Sequence, residues 1–80
     1  MGVKDVCLGN RFTILLSQNG HVYSFGENKC GQLGHGDTKN RFIPTIIKKL
    51  RKQAIGNISC GYDHVIARST VGKAFVWGNG

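Results

Sequence analysis

The residues most able to do covalent or metal chemistry in this sequence are its cysteines and histidines, and two pairs stand out by spacing. Cys30-x4-His35 and Cys60-x3-His64 together offer the thiolate and imidazole ligands that suit zinc. Cys60, however, falls on an expected strand and His64 at the start of the next. The pair reads instead as a small buried thiol and a hydrogen-bonded core histidine, and no metal is expected. Nucleophilic catalysis would need Cys or Ser beside a base and an orienting acid. The acids Asp5, Glu27, Asp37 and Asp63 are scattered, and only Asp63 neighbours a histidine, His64. Adjacent strand residues point to opposite faces, so these two cannot cooperate, and paired carboxylates for acid–base work are absent. Gly26-x4-Gly31 has phosphate-loop spacing but continues as Gln32-Leu33, where an ammonium and a magnesium-binding hydroxyl are required. Gly31, Gly34 and Gly36 then read as the makings of a tight loop. No catalytic residue, cofactor or small-molecule substrate is expected, and the chain is read as not an enzyme.

The chemistry that remains is electrostatic. The sequence carries a formal charge of +7, which attracts nucleic acid, acidic protein or anionic lipid at long range and says nothing about fold. The dense part is Lys48-Lys49-Leu50-Arg51-Lys52. Lys48, Lys49, Arg51 and Lys52 are candidate contacts for an anionic partner, with a solvated turn between strands as the plain alternative. No aromatic interleaves the cluster, so base stacking in single-stranded nucleic acid is not supported.

Cys7, Cys30 and Cys60 are odd in number, and no basic start, apolar stretch and small-residue cleavage site precedes them. That pattern predicts free thiols in a reducing compartment. Asn57-Ile58-Ser59 matches the glycosylation acceptor by letter but sits in an expected strand. Met1-Gly2 begins like a myristoylation signal, yet Val6 stands where Ser or Thr is needed. The longest apolar runs, such as Ile14-Leu15-Leu16, fall far short of the roughly 18 residues of a membrane span. The expected location is the cytoplasm or nucleus.

What positions these residues is a repeat. Val6–Asn28 overlays Ile58–Gly80 without a gap at an offset of 52, with identities at Gly9/Gly61, Ile14/Ile66, Ser17/Ser69, Gly20/Gly72 and Gly26/Gly78. Near matches are Val6/Ile58, Tyr23/Phe75 and Phe25/Trp77. Phe12, Ile14 and Leu16 alternate with polar neighbours, apart from Leu15, as a half-buried strand does. Asn19-Gly20 supplies a turn, and Val22 to Phe25 returns with Tyr23 and Phe25 on one face. Val6 and Leu8, ending at Gly9, form a third strand, repeated by Ile58 and Cys60 before Gly61. Gly26 to Gly36 is loop. After Pro44, Thr45 to Leu50 reads as a fourth, edge strand, although Ile46, Ile47, Leu50 and Ala54 also fit a short amphipathic helix. Many glycines and a single proline agree with short strands and tight turns.

Four-stranded units recurring at this length are propeller blades, and here the residues point to a family. Gly9 with Phe12 and Gly61 with His64 begin the pattern. Gly20-His21-Val22-Tyr23-Ser24-Phe25-Gly26-Glu27-Asn28 and Gly31-Gln32-Leu33-Gly34-His35-Gly36 follow, then Pro44, and Gly72 through Trp77-Gly78-Asn79. The whole resembles the repeat of the regulator of chromosome condensation family. Phe12 stands where that family usually has His, Phe25 where it has Trp, and Arg68 where an apolar residue often follows Ala67.

The resemblance implies an all-β fragment of a seven-bladed β-propeller. Residues 1–57 would be the first blade, four-stranded and antiparallel, and residues 58–80 a partial second blade truncated at its Trp-Gly motif. Eighty residues cannot close such a ring. With a thin core, the piece is expected to be marginal alone, and to lean on further repeats of the same parent or on self-association. The function implied is a protein-interaction scaffold, with loops at Glu27 to Asn40 and Lys48 to Gln53 presenting contacts. The rival readings are a fragment of a guanine nucleotide exchange factor for a Ran-type small GTPase, and a chromatin- or DNA-binding module working through the basic cluster.

Overall fold

Period-two alternation, cut at regular intervals by glycine, dictates short strands joined by tight hairpins, and the computed structural model, which describes residues 2–78, contains two such sheets. The first is β1 (Val3–Leu8), β2 (Phe12–Ser17), β3 (Val22–Gly26) and β4 (Arg41–Ile46), antiparallel and in that spatial order. The second is β5 (Ile55–Cys60), β6 (His64–Ser69) and β7 (Ala74–Gly78), likewise antiparallel and in order. A single 3-10 turn, Lys48–Leu50, links them. Met1, Asn79 and Gly80, which carry the start of the lipid-anchor reading and the end of the second motif, lie outside the described residues. Among the described residues no helix is long and apolar enough to cross a membrane.

The repeat is structural as well as textual. The register shift between Val3 and Asp5 in β1 recurs between Ile55 and Asn57 in β5, at the same offset. Such a bulge twists a strand at a fixed place, so the two sheets share their curvature. The hairpins agree in detail: Ser17 Oγ accepts the His21 amide at 3.1 Å, and Ser69 Oγ accepts the Lys73 amide at 3.0 Å. Both serines are buried, which explains why a small hydroxyl recurs there. Before each hairpin an aromatic ring sits against a glycine, Phe12 against Gly9 and His64 against Gly61, in the space that a Cβ would take.

The sheets pack face to face. Phe12, Ile14, Leu16 and Val22 of the first meet Ile58, Val65 and Ala67 of the second, with Phe75 and Trp77 against them. Ile14, Leu16 and Val65 are fully buried, and each such side chain contributes about 1.5–3 kcal/mol. Leu33, Ile47 and Leu50 close the side of the core.

Three expectations are corrected. The fourth strand is Arg41–Ile46, spanning Pro44 instead of following it. β4 is the sheet edge, where a residue without an N–H can face solvent, and its ladder slips between Ser24 and Gly26 so that Phe42 and Ile43 stand outside. The stretch beyond it is the 3-10 turn, Ile47 and Leu50 being buried three residues apart as that helix eclipses them. Second, Cys7 and Cys60 are joined in a disulfide, with Cα atoms 5.8 Å apart, and only Cys30 is free. The expectation of free thiols fails for those two, and the reducing compartment loses the support it drew from them. Third, His64 is half-buried, its ring in the space that a Cβ on Gly61 would take; it is not the hydrogen-bonded core histidine expected.

Candidate partner-binding surface

The loop between β3 and β4 is built around one side chain. Asn28 is fully buried. Its Nδ2 donates to the Asp37 carbonyl at 3.0 Å, to Asp37 Oδ1 at 2.9 Å and to the Lys39 carbonyl at 2.9 Å. Its Oδ1 accepts the Leu33 amide at 3.0 Å, and its own amide donates to Asn40 Oδ1 at 2.9 Å. A polar group taken from water needs such partners, and here the partners are spread over the loop, so satisfying Asn28 closes the loop. Gln32, also buried, accepts the Cys30 amide through Oε1 at 2.8 Å. Arg41 then pairs with Asp37 at 3.0 Å. The hydrogen bond from Arg41, helped by the Lys39 amide, holds the Asp37 carboxyl below its ordinary range.

Gly34 is where this loop meets the second sheet. A Cβ there would lie 2.9 Å from Trp77 Nε1, and the backbone sits at φ +76°, where side chains are rarely tolerated. Trp77 Nε1 donates to the Gln32 carbonyl at 2.8 Å. The Gly-Gln-Leu-Gly run is thus a cradle for the tryptophan of the following sheet.

Ser24 and His35 form a contact that the sequence reading missed, with Oγ and Nε2 3.0 Å apart. Ser24 spends its proton on the Leu33 carbonyl at 2.7 Å, so His35 donates. Ser24 is inaccessible and no hydrogen bond joins Asp37 to His35, so the arrangement braces the loop and does not prepare a nucleophile. Burial, and next the nearby Arg41 charge, hold the imidazole below its ordinary value.

The structure brings the basic cluster to this loop. Ile47 and Leu50 are buried anchors, which leaves Lys48, Lys49, Arg51 and Lys52 exposed around a rigid turn. Lys48 and Lys49 line one depression with Gly34, His35 and Arg41, and a second with His21, Arg51, Lys52 and Gln53. Among the described residues the salt bridges are Arg11–Glu27 and Arg41–Asp37; none of the four cluster cations has a carboxylate partner. The imagined zinc set is dispersed, since Cys60 is bonded to Cys7. Among the described residues no three His, Cys, Asp or Glu side chains gather as a metal site.

Comparison with known proteins places this geometry. The model of the regulator of chromosome condensation (RCC1) repeat matches residues 19–68, and a second model of that description matches residues 3–32. Human HERC4, named a probable E3 ubiquitin-protein ligase, is 39% identical over 76 residues, covering 95% of this chain and 7% of its own length. The structure of human WBSCR16 superposes with a TM-score of 0.90 at 32% identity, covering 96% of this chain and 20% of that one. Yeast Prp20p, whose structure was described with its binding to Gsp1p and histones, superposes at 0.83 with 22% identity over 95% of this chain and 20% of its own, a likeness of fold. The chain therefore spans only a small part of the relatives it matches.

Proposed function

The chain belongs to the regulator of chromosome condensation repeat family, and on that premise we propose that it works as a protein-interaction scaffold whose contact surface is the Glu27–Asn40 loop with the basic turn beside it. The observation that carries this is the set Lys48, Lys49, Arg51 and Lys52, exposed, without carboxylate partners, and fixed on a turn whose apolar residues Ile47 and Leu50 are buried. A rigid scaffold that spends its polar side chains on bracing the loop and leaves four cations free suits an acidic protein surface. No side chain of the site is arranged for bond-making chemistry, and the ligase named in the HERC4 relative belongs to a protein of which this chain covers 7%.

The test is titration of a synthetic glutamate-rich peptide into the chain and into a variant with all four cations changed to Glu. We expect binding that weakens with salt in the first and vanishes in the second. Equal binding by both would remove the cluster from the function. A duplex DNA titrated in parallel separates the chromatin reading: a steep salt slope that the variant flattens, with no peptide binding, would replace the scaffold by a nucleic-acid contact. Accelerated release of labelled GDP from a Ran-type GTPase would replace it by nucleotide exchange.

A further inference from the structure

One of the depressions beside the basic turn gathers its charges around a space of about 210 Å³, lined by His35 of the β3–β4 loop, Arg41 and Thr45 of β4, and Lys48 and Lys49 of the 3-10 turn. All of this lining lies within the first repeat, between its own loop, edge strand and turn. Arg41 is held in place: Nη1 donates to the Lys39 carbonyl and Nη2 to Asp37 Oδ2, each at 3.0 Å. Two of the five N–H bonds of a guanidinium are thereby used, and the other three have no acceptor among the described residues. Lys48 and Lys49 are exposed and pair with no carboxylate among the described residues. The three cations, with the one carboxylate bonded to Arg41, leave a formal surplus of two positive charges. His35 registers that surplus: after burial, which is the larger cause, Arg41 and Lys48 oppose its protonation and Asp37 alone favours it.

From this we propose that the depression receives a phosphate monoester on a partner peptide, a phosphoserine or phosphothreonine whose oxygens meet Arg41, Lys48 and Lys49 together. The inference rests on the scaffold reading above and names the anion that the partner carries. A glutamate brings one charge and two oxygens. A phosphorylated hydroxyl brings a charge of about −1.5 to −2 and three acceptor oxygens, which matches the surplus and gives each cation an oxygen. A planar guanidinium already held by two bonds is the donor suited to phosphate, and clusters of this kind read phosphorylated motifs. The adjoining depression adds His21, Arg51 and Lys52 on the other side of Lys48 and Lys49, so acidic residues next to the phosphorylated one have cations to face. A single cup of this size does not recur along the surface as the phosphates of a nucleic acid backbone do, which favours a peptide.

Fluorescence anisotropy of three labelled peptides with the 80-residue chain tests this, the peptides sharing one glutamate-rich sequence and differing only in a central phosphoserine, glutamate or serine. The phosphoserine peptide is expected to bind about tenfold more tightly than the glutamate peptide, equivalent to about 1.4 kcal/mol. Lys48→Ala, a change at an exposed residue that does not burden folding, and Arg41→Lys, which keeps the charge and removes the fork, are each expected to bring that preference within twofold. Lys52→Ala, in the adjoining depression alone, is expected to weaken both peptides alike and leave the preference intact. Equal binding of the phosphoserine and glutamate peptides overturns the proposal and leaves the scaffold reading standing, whereas binding of none of the three overturns both. A preference that survives Lys48→Ala and Arg41→Lys puts the phosphate elsewhere and overturns the proposal. Capture of the chain by phosphatidylserine vesicles, with no preference for the phosphoserine peptide, would make the cluster a membrane contact and overturn it too.

Discussion

Replacing Asn28 by aspartate changes one atom group and reverses its chemistry. In the native loop Nδ2 gives its two hydrogens to three acceptors, the Asp37 carbonyl, Asp37 Oδ1 and the Lys39 carbonyl, while Oδ1 takes the Leu33 amide. Aspartate keeps the bond from Leu33 and turns the other oxygen, ionised, toward those three acceptors in a fully buried position. Two donated bonds are lost at about 1 kcal/mol each, and stranding the buried carboxylate oxygen adds about 1–3 kcal/mol more. The sum, about 3–5 kcal/mol, is a large share of the roughly 4–12 kcal/mol that 80 residues sustain.

Urea unfolding read by Trp77 fluorescence is the assay, since that indole hydrogen-bonds the Gln32 carbonyl of the same loop. The pH dependence supplies an internal check. Buried against acceptors, the new carboxyl has a raised pKa, so protonation restores a donor and the deficit against wild type should shrink as pH falls from 7 toward 5. Asn40→Ala, which removes only the bond to the Asn28 amide, should cost about 1 kcal/mol. A deficit under about 1 kcal/mol for Asn28→Asp at pH 7, or one that does not change with pH, would refute the claim that this amide organises the loop.

Two further outcomes are expected. Reducing the Cys7–Cys60 bond, which closes a segment of sequence separation 53, should lower stability by up to about 4 kcal/mol by loop-closure entropy; urea midpoints with and without a phosphine reductant measure it, and the Cys7→Ser, Cys60→Ser double variant should match the reduced chain. His35 titrates below its ordinary value of 6.5 in the fold, so the unfolded chain binds the proton more readily. Its contribution is complete above 6.5 and is lost as pH falls through the folded value. His35→Gln should flatten the stability profile below pH 6.5, and an unchanged profile would place the titration elsewhere.

The fold was legible wherever one face of a strand is buried, because burial enforces period two. Phe12, Ile14 and Leu16 announced β2, and the shared parity of Tyr23/Phe25 and Phe75/Trp77 announced that β3 and β7 do the same work. β4 was misplaced because an edge strand is buried on too little of its surface to alternate, as the pattern from Arg41 to Ile46 shows. The disulfide was illegible for a different reason. Cys7 and Cys60 are not repeat equivalents, their counterparts being Ser59 and Leu8; they meet because each lies on the face its sheet turns toward the other, which only the packed pair reveals. Of the site, the cations could be read directly from their run. Asn28 stood only as a letter in a motif, since a buried amide and an exposed one look alike until its four partners, 5 to 12 residues away, fold over it.

The two sheets are held at one mutual angle by contacts of four kinds: apolar packing around Ile14 and Val65, backbone bonds such as that from the Asn10 amide to the Tyr62 carbonyl, the indole bond to Gln32, and the Cys7–Cys60 bond. The indole bond sits beside the loop that carries the proposed surface, and the depression of about 440 Å³ there is lined by Gly34 and Asp37 of that loop and Lys49 of the 3-10 turn on one side and by Val76 and Trp77 of β7 on the other. A partner that reaches into it from the basic turn touches both repeats at once, so its affinity depends on the angle between them as well as on Lys49 in the depression and the neighbouring cations of the turn. Releasing the cross-link loosens that angle without touching those cations. Binding of an acidic probe should therefore weaken on reduction while its salt dependence, fixed by the same cations, stays the same.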